Sequence, residues 1–452
     1  MYTIESLSIS RLLSSIVIHF RSIVLIIFSL CLNLFTGHLY RSYQFIKFIG
    51  IYIQTYFGII TGNHYSLVNV ADDNFSIGIT ADRLFKKNNN NINRDYNTPD
   101  IFDVFHIYLS KILYESSPVI KQQCIDWGFD DDSIKILTYI QNQDLTKYSF
   151  STQAAVINYK ESNSIIIAFR GTEPMDLLQW ITDASTNFID INNIFNDIIN
   201  KNPIQVHAGF YSALGLHELK PIHEIDFNNV NDATTPMFIQ LLKAIKEFNQ
   251  NDTKCNITIT GHSLGAGLAS LFSFVLAGYG YESCISGVYT YGQPLVGNRH
   301  YAEILNNKLG NRIHRWVNHS DIVPRLPVIE LPSIPWFYAR TRYSDALEVA
   351  THNNKTKSNE FQHHYYHSGL RFKIDWKGNL VRENLIDQGP ILAYQDGLDL
   401  FYIKYSFFNA IYSLCNITPL RSLLWLTAPA EINDHFPGDY GRRIKKIVTK
   451  NK

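Results

Sequence analysis

Gly261-His262-Ser263-Leu264-Gly265 sets a serine between two glycines, each two residues away. The β-branched run Ile257-Thr258-Ile259-Thr260 leads into it, and the small residues Gly265, Ala266, Gly267 and Ala269 open a helix directly behind it. A serine on a sharp strand-to-helix turn is a nucleophile elbow. The serine backbone is strained there, and the new helix lies so close to neighbouring strands that Gly261 and Gly265 have little room for side chains. A glycine-rich turn before a core helix would account for the pentapeptide alone. The flanking strand and helix favour a nucleophile, whose hydroxyl needs a base and an orienting acid.

Two other segments supply the remaining chemistry. Ile165-Ile166-Ile167-Ala168-Phe169-Arg170-Gly171-Thr172 is a buried-type strand running into a turn. Hydrolases of the α/β type draw one oxyanion donor from a loop after an early strand and the other from the N–H that follows the nucleophile. Those donors are Thr172 and Leu264, each worth roughly 10²–10³ in turnover. Asn318-His319-Ser320-Asp321, followed by Pro324 and Pro327, places an acid just past a strand end. The chain order nucleophile, acid, histidine selects Asp321 and requires a later histidine. His352, His363, His364, His367 and His435 are the candidates. His435 is chosen, on a loop followed by a short cationic tail, where a base can fold back over the sheet. His262, beside the nucleophile, is read as structural.

These residues need a scaffold. Asp100 caps an amphipathic helix from Ile101, and Ser117-Pro118 opens a second helix. Strands are predicted at Ile134–Ile140, Ser149–Tyr159, Ser164–Phe169, Ser286–Tyr291 and Arg312–Asn318, with helices at Ala233–Phe248 and Asn298–Leu309. Alternation of this kind indicates a mostly parallel sheet covered on both faces. The 452 residues are 46% hydrophobic, enough for a large core, and 40 basic residues balance 40 acidic ones. No charge field of one sign points to nucleic acid. Five scattered cysteines without C-x-x-C spacing suggest neither a disulfide framework nor a zinc site. Residues 12–35 are strongly apolar but interrupted by Arg21, and a second apolar run spans Phe45 to Ile60. Both are read as membrane-inserted or interface-lying segments. Asp82 to Pro99 is asparagine-rich and reads as a linker.

In pattern the chain resembles the class 3 lipases, the family of the fungal triacylglycerol lipases, and among them the plant oil-body lipases. The matching residues are Ala168 to Pro174, Trp180 with Asp183, Val206 to Phe210, Gly261 to Gly265, Tyr289 to Pro294, Val296 to Arg299, Asp321 to Pro327, and Asp434-His435 with Tyr440. They occur in the family's order over roughly residues 100 to 445. Residues 328–433 match poorly.

The resemblance implies an α/β-hydrolase fold, a triad of Ser263, Asp321 and His435, and an oxyanion hole at Thr172 and Leu264. It also implies a mobile lid near 173–187, where Met175, Leu177, Leu178, Trp180 and Ile181 would meet lipid. The organisation expected is a hydrophobic anchor at 1–81, a linker at 82–99, and a catalytic domain at 100–452 with a divergent insertion at 328–433. The function expected is triacylglycerol hydrolysis at a membrane or lipid-droplet surface, with the endoplasmic reticulum or droplets as location. No metal, organic cofactor or nucleic acid is implied. Phospholipase A or mono/diacylglycerol lipase activity is the alternative within the enzyme class. A catalytically silent lipid-binding or interaction module is the alternative outside it.

Overall fold

The computed structural model describes residues 75, 77, 78, 80–85, 95–140, 151–172, 188–192, 203–218, 224, 225, 227, 233–249, 255–319, 321, 323–326, 365–375, 377–381, 391, 392 and 434–450. The described residues belong to one unit, Val68–Val328 with Thr356–Lys452. The two apolar N-terminal runs, the segment 173–187 expected as a lid, and most of the stretch 328–433 lie outside them.

The chain opens with a short helix α1 (Ala81–Phe85), then α2 (Ile101–Ile112) and α3 (Ser117–Asp126). Asp100 caps α2 as expected: its carboxylate accepts from the Phe102 N–H at 2.8 Å, and the Asp100 N–H donates to Asp103 at 2.8 Å. This reciprocal box satisfies two of the donors that a helix start leaves open. Strands β1 (Ile134–Ile140), β2 (Ser151–Tyr159) and β3 (Ser164–Phe169) form an antiparallel meander. Then come β4 (Phe188–Asp190), β5 (Gln205–His207), α4 (Ala208–Ala213), α5 (Met237–Asn249), β6 (Asn256–His262) and α6 (Leu264–Leu276). The chain continues through β7 (Ile285–Tyr291), β8 (Gly297–Asn298), α7 (Arg299–Leu309) and β9 (Ile313–Asn318). Strands β10 (Tyr365–His367), β11 (Leu370–Ile374), β12 (Leu380–Val381) and β13 (Ile391–Leu392) precede the last helix, α8 (Pro437–Lys450).

The main sheet has eight strands in the order β1-β2-β3-β6-β7-β9-β11-β12. The pairs β3–β6, β6–β7, β7–β9 and β9–β11 are parallel, and the outer pairs are antiparallel. This is the mostly parallel, helix-covered sheet of an α/β-hydrolase fold. A second sheet, β13-β10-β8-β5-β4, pairs short antiparallel strands.

Alternation along β6 divides the two covering layers. Ile257 and Ile259 enter the apolar core with Leu241 and Ile245 of α5, Leu268, Phe272 and Val275 of α6, and Leu305 of α7. Thr258 and Thr260 face α2 and bond to His106 and Ser110 at 3.0 and 3.1 Å. Asp103 of α2 accepts from the Trp316 indole at 2.8 Å and pairs with His314 at 2.8 Å. Pairing matters here, because a buried polar group left without a partner costs about 1–3 kcal/mol. The bonds fix α2 on the sheet and bring Tyr114, just past its end, to the elbow. Leu264–Tyr281 is long and apolar enough to cross a bilayer, but it is mostly buried in this core.

Three features differ from the sequence expectation. The linker drawn from Asp82 begins inside α1, where Leu84 and Phe85 are buried, and Phe75 and Ile77 upstream are buried as well. The poorly matching stretch 328–433 contains β11, a parallel strand of the main sheet. The cationic tail after His435 is the 14-residue helix α8, which buries Tyr440, Ile444, Ile447 and Val448 and packs against α2.

Candidate active site

Ser263 has φ 60° and ψ −131°, outside the relaxed regions for a residue with a side chain. Its N–H donates to the Tyr291 carbonyl at 2.9 Å, and its own carbonyl accepts from Ala266 at 2.9 Å as α6 begins. The two flanking glycines allow this turn. A Cβ on Gly261 would lie 2.1 Å from the Gly265 carbonyl oxygen, and one on Gly265 would lie 2.4 Å from that of Phe169. The elbow is therefore jammed against the end of β3, from which Arg170, Gly171 and Thr172 continue.

Gly171 is pressed in turn against the elbow: a Cβ there would lie 2.1 Å from the Tyr114 hydroxyl and 2.6 Å from the His262 carbonyl. Thr172 follows, with its Oγ1 buried and without a hydrogen-bond partner among the described residues. Leu264 is the first residue of α6, a 13-residue helix. N–H groups in a first helical turn have no intrahelical acceptor, and the helix dipole there favours negative charge. The geometry brings the Thr172 turn and the start of α6 beside the strained serine.

Asp321 is fully buried one turn beyond β9. Its carboxylate takes four bonds: the His435 Nδ1–H at 2.9 and 2.8 Å, the Val323 N–H at 2.9 Å and the Tyr440 hydroxyl at 2.6 Å. Burial, then the Asp321 charge, holds the Tyr440 phenol well above its ordinary value, so it stays a donor. With Nδ1–H spent on Asp321, the neutral His435 ring presents Nε2 as an acceptor. Neither His435 Nε2 nor Ser263 Oγ has a hydrogen-bond partner among the described residues. Such bonds are commonly long without substrate and tighten when it binds.

His262 ties His435 to the elbow. Its Nδ1 accepts from the Tyr114 hydroxyl at 2.8 Å, and its Nε2–H donates to the His435 backbone carbonyl at 2.6 Å. Burial, then the neighbouring His435, holds its pKa well below the ordinary value and keeps it neutral. Gly292, with φ 58°, abuts the Asp321–His435 pair: a Cβ there would lie 2.7 Å from the His435 ring and 2.8 Å from Asp321. Gly292 and Tyr440 belong to the motif residues of the sequence, but sequence alone assigns them no role. Their signals were a glycine at the end of β7 and a tyrosine five residues past the histidine.

The structure thus brings Asp321, His435, Gly292 and Tyr440 into contact, with Ser263 on the adjoining elbow and the Thr172 turn beside it. Of the other candidate histidines, His367 donates through Nε2 to the Pro324 carbonyl at 2.6 Å. His352, His363 and His364 lie outside the described residues, as do Met175, Leu177, Leu178, Trp180 and Ile181. Among the described residues no group of three or more His, Cys, Asp or Glu could share a metal ion.

Residues 166–331 match the family model described as Lipase (class 3). The chain is 26% identical over 363 residues to triacylglycerol lipase OBL1 of Arabidopsis thaliana, across 75% of this chain and 63% of that protein. It is 27% identical over 174 residues to phospholipase A1-IIgamma of the same plant, across 36% of this chain and 39% of that protein. The chain thus spans less than two thirds of the length of either relative. Among solved structures, a triacylglyceride lipase of Rhizomucor miehei is similar at 21% identity, covering 61% of this chain and 80% of that one, with a TM-score of 0.37.

Proposed function

We propose that this chain, which resembles the class 3 lipases across residues 166–331, is a serine ester hydrolase that releases fatty acid from acylglycerols. The observation that carries the reading is the bifurcated contact of His435 Nδ1 with a fully buried Asp321, next to a serine at φ 60°. Ser263 Oγ attacks the acyl carbonyl carbon while His435 Nε2 takes its proton, and the Asp321 charge stabilises the imidazolium. The N–H groups of Thr172 and Leu264 receive the oxyanion. Collapse of the tetrahedral intermediate breaks the ester C–O bond, and the imidazolium protonates the leaving alkoxide. Water, deprotonated by the same imidazole, then attacks the acyl-enzyme and frees the fatty acid and Ser263.

Triacylglycerol is the preferred substrate in this reading, supported by the long match to a triacylglycerol lipase. Phospholipid cleavage is the second reading, supported by the similarity to a phospholipase A1. The triad itself does not distinguish the two head groups. The apolar N-terminal runs would hold the protein at a membrane or droplet surface, with the endoplasmic reticulum or lipid droplets as its location. Met175, Leu177, Leu178, Trp180 and Ile181 would form the lid that opens on lipid.

The test is fatty-acid release from emulsified long-chain triacylglycerol and from phosphatidylcholine vesicles, comparing wild type with Ser263→Ala. Wild type should release acid from the emulsion faster than from vesicles. The variant should lose roughly 10⁴–10⁶-fold on both, the loss typical of a removed nucleophile. Faster release from vesicles would select the phospholipase reading. Equal rates for variant and wild type would remove Ser263 from the reaction.

A further inference from the structure

Beside the acid–base contact runs a second histidine–aspartate contact of opposite sense. The turn after β9 carries Asp321 and, two residues earlier, His319; the loop before α8 carries His435 and, one residue earlier, Asp434. His319 Nδ1–H donates to Asp434 Oδ2 at 2.5 Å, while His435 Nδ1–H donates to Asp321. Each segment therefore gives one imidazole and one carboxylate. Both members of the second pair are buried, His319 at 6% and Asp434 at 2% exposure. The turn is held by its neighbours: the His319 N–H donates to the Ile374 carbonyl of β11 at 2.8 Å, and the Asp321 N–H donates to the Asn318 carbonyl at 2.9 Å. Asn318 Nδ2 donates to the Asp434 carbonyl at 2.7 Å, and Arg443 of α8 donates to Asn318 Oδ1 at 2.8 Å with its other amine 3.8 Å from Asp434.

We propose that His319 and Asp434 are positioning residues for His435, a reading that rests on the hydrolase function above. The contacts of Asp321 with His435 and of Asn318 with the Asp434 carbonyl join the two segments, and the His319–Asp434 contact of reversed polarity adds a side-chain tie at the residue just before the base, which limits its rotation further. The base is one peptide unit from Asp434, so the clasp fixes the backbone from which its ring projects. Catalytic groups need placement within about 0.5 Å, and a shift of about 1 Å costs on the order of 10²-fold in rate. His319 also occupies a left-handed position, φ 43°, where asparagine is the best tolerated residue with a side chain. Asparagine places its amide nitrogen near the site of imidazole Nδ1, whereas glutamine places it near Nε2.

The full-length chain is assayed on 4-nitrophenyl butyrate, a soluble ester, with sites counted by fluorophosphonate labelling of Ser263. Asp434→Leu should lower kcat per labelled site roughly 10- to 100-fold with KM unchanged within about twofold. His319→Asn should keep at least about a third of the wild-type kcat, and His319→Gln should fall with Asp434→Leu. A lost hydrogen bond that merely supported folding would reduce the number of labelled sites and leave kcat per site alone. The proposal is overturned if Asp434→Leu keeps wild-type kcat per site, or if the asparagine and glutamine variants agree. Should Asp434→Leu fail to fold, that comparison at position 319 still decides. Wild type that neither labels nor hydrolyses the ester would overturn the hydrolase reading itself, a different outcome from active wild type with indifferent variants.

Discussion

His262 and His207 are buried histidines that each use Nδ1 as an acceptor, one from the Tyr114 hydroxyl and the other from the Gly209 N–H at the start of α4. Burial pushes His207 down to about 4 and His262 well below its ordinary value. With folded values below the unfolded value of about 6.5, the unfolded chain binds more protons at mildly acid pH. The associated stability is complete above about 6.5 and declines as pH falls below it, the His207 share being lost as pH falls towards about 4. Urea midpoints measured from pH 7.5 to 4.5 should show this decline. His207→Asn, which keeps an acceptor for the cap, should flatten it; an unchanged slope would exclude His207 as a contributor. At this scale the sequence revealed residues with a local signature. Ser263 has its flanking glycines, and Asp321 has its strand end and prolines. The link between His319 and Asp434 spans 115 positions and has no such signature.

Gly265 couples two elements more tightly than any side chain could. Its missing Cβ lets α6 start against the Phe169 and Arg170 backbone, atoms that cannot swing aside. Gly265→Ala should cost about 1–3 kcal/mol through overpacking and, by lifting the elbow from the Thr172 turn, reduce ester turnover beyond the loss of folded protein. Gly310→Ala is the comparison, since nothing lies within 4 Å and only its φ of 50° is strained. Thermal melts and kcat per labelled site check both; equal turnover in the two variants would refute the coupling. The strands β1, β2, β3, β6, β7 and β9 were legible because each is a run of apolar or β-branched residues. Helix α8 was not, since Pro437, Gly438 and Gly441 dilute its propensity and burial of Tyr440, Ile444, Ile447 and Val448 supplies the stability instead. Gly441 has its own reason, with a Cβ there falling 3.1 Å from the Tyr108 ring. The two- and three-residue strands of the second sheet are too short for any periodicity to register.

Across the whole molecule, the buried unit begins further upstream than the boundary composition suggested. Phe75 and Ile77 are buried, and the Trp127 indole donates to the Phe75 carbonyl at 3.1 Å. Deleting residues 1–74 should therefore leave hydrolysis of a soluble ester within about twofold, while deleting 1–81 should lose about 3–6 kcal/mol of apolar burial. Flotation with membranes or droplets should disappear in both deletions. Retained flotation of the 1–74 deletion would move the attachment elsewhere in the chain. The contact between Asp321 and His435 closes a span of 114 positions, whereas the elbow and the acid are joined through neighbouring strands of the sheet. During synthesis Ser263 and Asp321 emerge long before His435, with β11 made in the interval between Asp321 and His435. If Ser263 and His435 act as proposed, a chain halted between residues 321 and 434 holds the serine without its histidine, so translation arrest or proteolysis in that interval yields a fragment without hydrolase activity.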